Sequence, residues 1–276
     1  MKKVVKTMLM LALATAMVWG KGDDAKAAVK TTELIANQEI TDKLYMNGEN
    51  DPNVYNFTVT NNGYVNFVFT GTGRTEEGVF TPNSNDWCDY KILVNGKEYE
   101  HGTVKLKGEA FNSDVYSFKE GTVISVQMST ERKTEKEYFQ YKIKAVTTQL
   151  NNNETEINDS KKQATKLKAG KNHSAVLTGK NEDTDWFVFK AKKAGKYKIS
   201  MTAKDYRWNT GVQTYIYCTV KKGSKTIVTD KEVIGGEKAV TLFKGNLKKG
   251  QKVYIKAVQG SCAYHSEIYN LKVKKY

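Results

Sequence analysis

Apolar and polar residues alternate along most of the chain. The clearest runs span 55–59, 65–69, 187–189 and 197–201, where aromatic or other apolar side chains occupy every second position. Alternation of this kind predicts half-buried β-strands. The best helical candidate is short, at 160–167 (SKKQATKL). The pattern therefore predicts an all-β protein.

Short segments rich in Gly, Asn and Lys separate the predicted strands and favour hairpin turns. They are Asn61-Asn62-Gly63, Asn95-Gly96, Lys222-Gly223-Ser224, Gly235-Gly236 and Lys249-Gly250. Many short strands joined in this way are typical of antiparallel sandwiches with an apolar core between two sheets.

The two halves of the chain repeat each other. Residues 55–69 (YNFTVTNNGYVNFVF) match 187–201 (FVFKAKKAGKYKISM) without a gap, so that Tyr55 falls on Phe187 and Gly63 on Gly195. Near the end of each half, 139–143 (FQYKI) matches 269–273 (YNLKV). A repeat on this scale predicts a duplicated domain. We expect two tandem antiparallel β-sandwich (jelly-roll-like) domains, at 28–148 and 149–276, joined through the polar segment 147–153.

The first 27 residues have the pattern of a signal peptide. Lysines precede an apolar run at 8–19, which is short for a membrane span, and Ala25-Lys26-Ala27 offers small residues for cleavage. We expect a secreted, extracellular mature chain that meets a membrane only before cleavage. A retained membrane anchor is the alternative.

Export also determines which partners the net charge of the protein can attract. The whole chain carries a formal net charge of +14, and loss of five Lys and two Asp with the signal peptide leaves +11. Such a charge favours anionic partners such as wall polymers, acidic glycans or lipid head groups, and nucleic acid is not expected outside the cell. The alternative is a merely solvated surface, because the lysines alternate along the predicted strands.

Catalytic and disulfide signals are sparse. The three cysteines are Cys88, Cys218 and Cys262, of which the last two lie in one half and can pair after export. No G-x-S-x-G, H-E-x-x-H or glycine-rich phosphate loop occurs, and the three histidines are isolated from any nucleophile. We therefore expect no enzyme.

Three motifs of the second half carry a family resemblance. They are E-x-N-D at 156–159, D-x-D-W-F at 183–187 and A-G-x-Y-x-I at 194–199. Together they make 153–276 similar to the bacterial pre-peptidase C-terminal domain family, which includes collagen-binding domains of clostridial collagenases. Residues 30–148 resemble that family more weakly. The resemblance implies a jelly-roll-like sandwich of the kind appended to exported proteins.

The same resemblance implies calcium in the second half. The matching positions are Glu154, Glu156, Asn158, Asp159, Asp183 and Asp185. Their carboxylate and amide oxygens are the hard ligands that calcium prefers. Two alternatives stay open: Asp159 caps the turn at 160–167, and Asp185 accepts hydrogen bonds at a strand entrance. In the first half Asp51 matches Asp183, but the upstream acidic cluster is missing.

Exposed aromatic residues are the ligand-binding candidates that the resemblance implies. They are Tyr206, Trp208, Tyr215, Tyr217 and Tyr264. Trp87 is the expected first-half partner of the loop that holds Trp208. Aromatic rings offer large apolar area with little entropy to lose. Tyr215 and Tyr217 alternate and so share a face, which is either exposed or directed to the core.

These observations lead to one main functional prediction and one alternative. We expect a secreted, non-catalytic binding module for an extracellular polymer, either a collagen-like protein or a polysaccharide, with calcium ordering the second domain. The alternative is an accessory exported protein that binds another protein and has no affinity for polymers.

Overall fold

The computed structural model of the chain is built from β-strands. It describes residues 31–46, 52–60, 63–132, 134, 137–149, 154, 158–178, 183–204, 215–236, 238–260 and 266–276. The predicted signal peptide lies outside these ranges. Within them no residue lies in an α-helix, and accordingly no helix of the length and hydropathy of a membrane span is found there.

The first sandwich is formed by ten strands. They are β1 (Thr31–Glu33), β2 (Glu39–Tyr45), β3 (Asn53–Thr58), β4 (Gly63–Glu76), β5 (Val79–Pro82), β6 (Trp87–Val94), β7 (Lys97–Lys105), β8 (Ala110–Asn112), β9 (Val123–Ser129) and β10 (Tyr138–Gln149). Sheet A has the order β1-β3-β9-β6-β7. Sheet B has the order β2-β10-β4-β5, and β8 also pairs with β4.

The second sandwich is formed by nine strands. They are β11 (Thr165–Leu167), β12 (Asn172–Leu177), β13 (Thr184–Lys190), β14 (Gly195–Ala203), β15 (Tyr215–Lys222), β16 (Lys225–Ile234), β17 (Val240–Leu247), β18 (Lys252–Gln259) and β19 (Glu267–Lys275). Sheet C has the order β11-β13-β18-β15-β16, and sheet D has the order β12-β19-β14-β17. The predicted all-β class with two tandem sandwiches is confirmed.

The two sandwiches share one topology. In each, a short first strand pairs in parallel with the third, while the other pairs of named strands are antiparallel. Tyr55 of β3 lies opposite Val126 of β9, as Phe187 of β13 lies opposite Ile255 of β18. We call such positions equivalent.

Aromatic side chains from both sheets fill each core. Phe57 of sheet A meets Phe67 of sheet B edge-on, with ring centroids 6.3 Å apart. In the second sandwich Phe187 and Tyr269 make a similar contact at 6.1 Å. Edge-to-face pairs contribute about 0.5–1.5 kcal/mol beyond area burial. The alternating residues of the sequence are therefore the inward-facing positions of the strands.

Only two of the five predicted hairpin turns join neighbouring strands of one sheet. Asn95-Gly96 joins β6 to β7, and both residues have positive φ (50° and 76°), as a type I′ turn requires. Lys222-Gly223-Ser224 joins β15 to β16. The other three segments lead from one sheet to the facing sheet. Turn residues specify that the chain reverses, but they do not specify which strand it then pairs with.

Three further sequence predictions are wrong. Residues 160–167 form a turn followed by β11 rather than a helix, because Thr165 and Leu167 face the core and pair with β13. The expected linker begins too early, since β10 continues to Gln149 opposite Gly63. The match of FQYKI with YNLKV is shifted by two residues. Tyr141 lies opposite Gly71 as Tyr269 lies opposite Ala203, so Tyr141 and Tyr269 are equivalent.

Candidate functional site

Two of the predicted calcium ligands are fully buried together. The amide nitrogen Nδ2 of Asn158 donates a hydrogen bond to Glu154 Oε2 (3.2 Å) and another to Thr165 Oγ1 (3.3 Å). Glu154 Oε1 accepts a hydrogen bond from the backbone N–H of Val176 at 2.6 Å. The two residues thus connect the segment before β11 to Thr165 of β11 and to Val176 of β12.

Two aspartates at the entrance of β13 add negative charge to the same region. Asp185 is fully buried and accepts a hydrogen bond from the hydroxyl of Tyr269. Asp183 Oδ2 accepts a hydrogen bond from the backbone N–H of Thr178 at 2.6 Å. Burial, with a smaller contribution from the charge of Asp159, raises the pKa of Asp183 from 3.8 to about 6.

The donor chemistry of this acidic region fits a hard cation, but the described side chains do not complete a metal centre. The candidate ligand atoms are all carboxylate or amide oxygens. Among them, the buried amide oxygen of Asn158 has no hydrogen-bond partner. Among the described residues, however, no group of three or more His, Cys, Asp or Glu is arranged to hold a metal ion. Glu156 lies outside the described ranges. Asp159 precedes a hydrogen-bonded turn at 160–163 that does not continue into a helix.

Two of the five predicted aromatic ligand contacts are described, and both face outward. Tyr215 and Tyr217 of β15 are half-buried, whereas Ile216 and Cys218 between and after them are fully buried in the core. Tyr206, Trp208 and Tyr264 lie outside the described residues. The pairing of β6 and β15 with their neighbours makes Trp87 equivalent to Tyr215 rather than to Trp208.

Two further aromatic residues occupy the same outer face of sheet C. Trp186 of β13 and Tyr254 of β18 alternate with core residues of their strands, so their rings point away from the core. Lys221 Nζ lies 5.8 Å from the centroid of the Trp186 ring, and Lys161 Nζ lies 4.4 Å from that of Tyr254. We call these two residues with Tyr215 and Tyr217 the aromatic face. Sequence reasoning used Trp186 only as a family motif, although its position beside inward Phe187 predicts an outward ring.

Of the two cysteines that the sequence allows to pair after export, Cys262 lies outside the described residues. Cys218 is a free, fully buried thiol whose sulfur lies 3.6 Å from that of Met201. Cys88 is also free and buried. Burial raises the pKa of both thiols to about 12, so they stay protonated and unreactive as small core side chains.

Comparison with known proteins gives distant structural likenesses only. No family model matches the chain, and no curated protein matches it. The CUB1-EGF-CUB2 domains of rat MASP-1 share 11% identity over 88% of this chain and 99% of that one, with a TM-score of 0.26. Paenibacillus xanthan lyase shares 14% identity over 86% of this chain and 25% of that one, with a TM-score of 0.28. Likenesses this weak carry no argument, and the resemblance to the pre-peptidase C-terminal family stays a prediction.

Proposed function

We propose that this protein is a secreted, non-catalytic binding module that holds an extracellular polymer against the aromatic face of sheet C. One observation carries the proposal. The face has Trp186, Tyr254 and Tyr217 at outward positions where the equivalent residues of the first sandwich are Val54, Ser125 and Asp89. Because the first sandwich adopts the same topology without these rings, the fold itself does not require them.

The form of the face suits an extended ligand better than a small molecule. Antiparallel strands present their outward side chains in rows about 5 Å apart, which gives a continuous surface rather than a pocket. The ammonium groups of Lys161 and Lys221 lie within cation–π distance of Tyr254 and Trp186, so charge and aromatic rings occur side by side on this surface. Export, the remaining part of the proposal, rests on the pattern of residues 1–27.

Calcium is the finer part of this proposal. We place it in the acidic region between Asn158, Asp159 and Asp183, where the orphaned Asn158 oxygen offers a ligand. When bound, the ion would neutralise carboxylates that otherwise repel one another. The acidic region and the aromatic face meet where the backbone N–H of Trp186 donates a hydrogen bond to the carbonyl oxygen of Asn158 at 3.0 Å.

Retention of the mature chain (28–276) on insoluble polymers tests the proposal. Fibrillar collagen, cellulose, chitin and peptidoglycan are incubated with the protein, and the bound fraction is measured after washing. Retention on at least one polymer is expected, with strong loss in a Trp186→Ala, Tyr254→Ala variant. The matched control is Trp87→Ala, which removes the exposed tryptophan of the first sandwich. Absence of retention on every polymer would overturn the proposal and direct the search to protein partners.

A further inference from the structure

The aromatic face is also strongly basic. Sheet C has five strands, and in four of them, β11, β13, β18 and β15, five outward positions are lysines: Lys166, Lys190, Lys221, Lys252 and Lys256. In the fifth strand, β16, Glu232 lies opposite Tyr217. No outward position of these four strands, all of which are described, is an aspartate or glutamate. Lys161 adds a sixth cation from the preceding turn.

The lysines and rings are interleaved rather than segregated. Lys166 lies beside Val188, which pairs with Tyr254, and Tyr254 in turn lies opposite Lys221. In the next row Trp186 lies opposite Lys256. Each ring on these two rows therefore has a cationic group one strand away, about 5 Å across the sheet.

The equivalent face of the first sandwich has the opposite balance of charge. Glu33 stands at the position of Lys166, Asp89 at that of Tyr217, and Gln127 at that of Lys256. Lys91 is the lone cation at the outward positions of β1, β3, β9 and β6, all of which lie in the described ranges. Solvation of the sheet surface alone does not explain why the outward positions of one sandwich are basic and those of the other are not.

Among the described residues, no ion pair involves the lysines of the aromatic face. The ion pairs between described residues all join side chains of the first sandwich, such as Arg74 with Glu137 and Arg132 with Asp86. These lysines thus have no carboxylate partner within the part of the chain that the structure describes, and a surface of one sign raises the local concentration of ligands of the other sign.

We infer that the aromatic face binds an anionic polysaccharide, that is, a chain of sugar rings bearing carboxylate or sulfate groups. This inference rests on the proposed function and names its ligand class. The rings stack on the apolar faces of the sugars, and the neighbouring lysines pair with the acidic groups. The outer face of sheet D has only one of these two features. Its strands β14 and β19 carry lysines at outward positions but no aromatic ring, so it offers charge without stacking.

A matched pair of probes tests the inference on the full mature chain. Polygalacturonate is compared with the same polymer after complete methyl esterification, which removes the charge and keeps the sugar backbone. Titration calorimetry at about 0.15 M salt is expected to give binding to the acid form alone. The triple variant Lys166→Gln, Lys221→Gln, Lys256→Gln is expected to bind it about tenfold or more weakly, because each lysine near an anionic surface contributes separately.

A charge-matched control distinguishes binding at the aromatic face from attraction by the net charge of the protein. The variant Lys198→Gln, Lys244→Gln, Lys274→Gln removes three lysines of sheet D and leaves the aromatic face intact. It is expected to bind polygalacturonate within about twofold of the parent chain, since these lysines lie on the opposite face at more than a Debye length in salt. Equal loss in both triple variants, or equal binding of inorganic polyphosphate and polygalacturonate, would overturn the inference.

The remaining outcomes distinguish the inference from the proposed function. Binding of the esterified polymer or of fibrillar collagen as strongly as polygalacturonate, with dependence on Trp186, would overturn the anionic ligand and keep the polymer-binding function. No binding to any of these polymers would overturn both. Circular dichroism of each variant checks that the substitutions, all at outward positions, leave the sandwich folded.

Discussion

The hydroxyl oxygens of Tyr55 and Tyr141 lie 2.6 Å apart in the core of the first sandwich. Their rings meet edge-on with centroids 6.3 Å apart, and the equivalent Phe187 and Tyr269 keep this geometry at 6.1 Å. One hydroxyl of the pair is thus absent from the second sandwich. The ring contact is common to both copies, while the polar groups around it differ.

In the first sandwich the ring pair has a carboxylate partner, Asp42, whose Oδ2 accepts a hydrogen bond from the Tyr55 hydroxyl at 2.7 Å. A second partner, on the strand of Tyr55, changes from an amide to a carboxylate between the two sandwiches. In the first sandwich Asn53 Nδ2 donates a hydrogen bond to the hydroxyl oxygen of Tyr141 at 2.9 Å. Asp185 stands at the position of Asn53 and accepts a hydrogen bond from Tyr269. A buried carboxylate needs donors more than a buried amide does, because its desolvation cost is larger. The second sandwich is therefore more sensitive to loss of this hydroxyl.

Substitution Tyr269→Phe is expected to lower the free energy of unfolding by about 1–3 kcal/mol, since it removes a donor from a buried carboxylate. Chemical denaturation followed by fluorescence measures the change. The matched control is Tyr197→Phe, whose hydroxyl donates to the neutral carbonyl of Lys193 at 2.7 Å in a partly exposed place. A loss at Tyr269 no larger than at Tyr197 would contradict the role given to Asp185.

The pKa of Asp183 makes the second sandwich less stable as pH rises. Its value in the folded protein is raised to about 6 from 3.8, so the folded state binds more protons than the unfolded state between these pH values. The contribution of this group to stability is complete below about pH 4 and is lost as pH rises through 6. Asp183→Asn is expected to remove this slope. The melting temperatures of the parent protein and of the Asp183→Asn variant are measured between pH 4 and 7. Parallel curves for the two proteins would refute the assigned role of Asp183.

Period-two alternation was enough to predict the strands and most of the core, because side chains such as Phe187 and Phe189 must share a face. The alternation did not predict which strands pair with one another. Gly63 illustrates the reason: a Cβ there would lie 2.2 Å from the carbonyl oxygen of Thr148, so the glycine serves a close approach of β10 and not a hairpin. Tyr215 and Tyr217, half of the aromatic face, were predicted as ligand contacts, and the parity that places Phe187 inside also places Trp186 outside.

Calcium is expected to raise the melting temperature of the second sandwich increasingly as its concentration rises, because a ligand that binds only the folded state stabilises it by mass action. Differential scanning calorimetry with millimolar calcium and with chelator measures the shift. Asp159→Asn is the informative variant, since Asp159 is exposed and its loss should not lower the metal-free melting temperature but relieve repulsion with Asp183. Identical melting curves with calcium and with chelator would remove calcium from the proposal.

A row of like charges crosses the outer face of sheet D. Lys198 of β14 lies directly opposite Lys244 of β17 on one side and Lys274 of β19 on the other. The equivalents of Lys198 and Lys274 in the first sandwich are the neutral Asn66 and Val146, and Asn66 donates a hydrogen bond to Asn112 of the neighbouring strand. Like charges that face each other across strands destabilise a sheet.

Lys198→Asn, which copies the first sandwich, is therefore expected to raise the free energy of unfolding by about 0.5–1 kcal/mol at low salt. The gain should vanish near 1 M salt, where the Debye length falls to about 3 Å and the repulsion is screened in the parent chain as well. Denaturation at both salt concentrations measures it, with Lys196→Asn as control because Lys196 faces Asn246 instead of a lysine. A gain that persists in high salt would mean that packing or strand propensity, and not charge, limits this position.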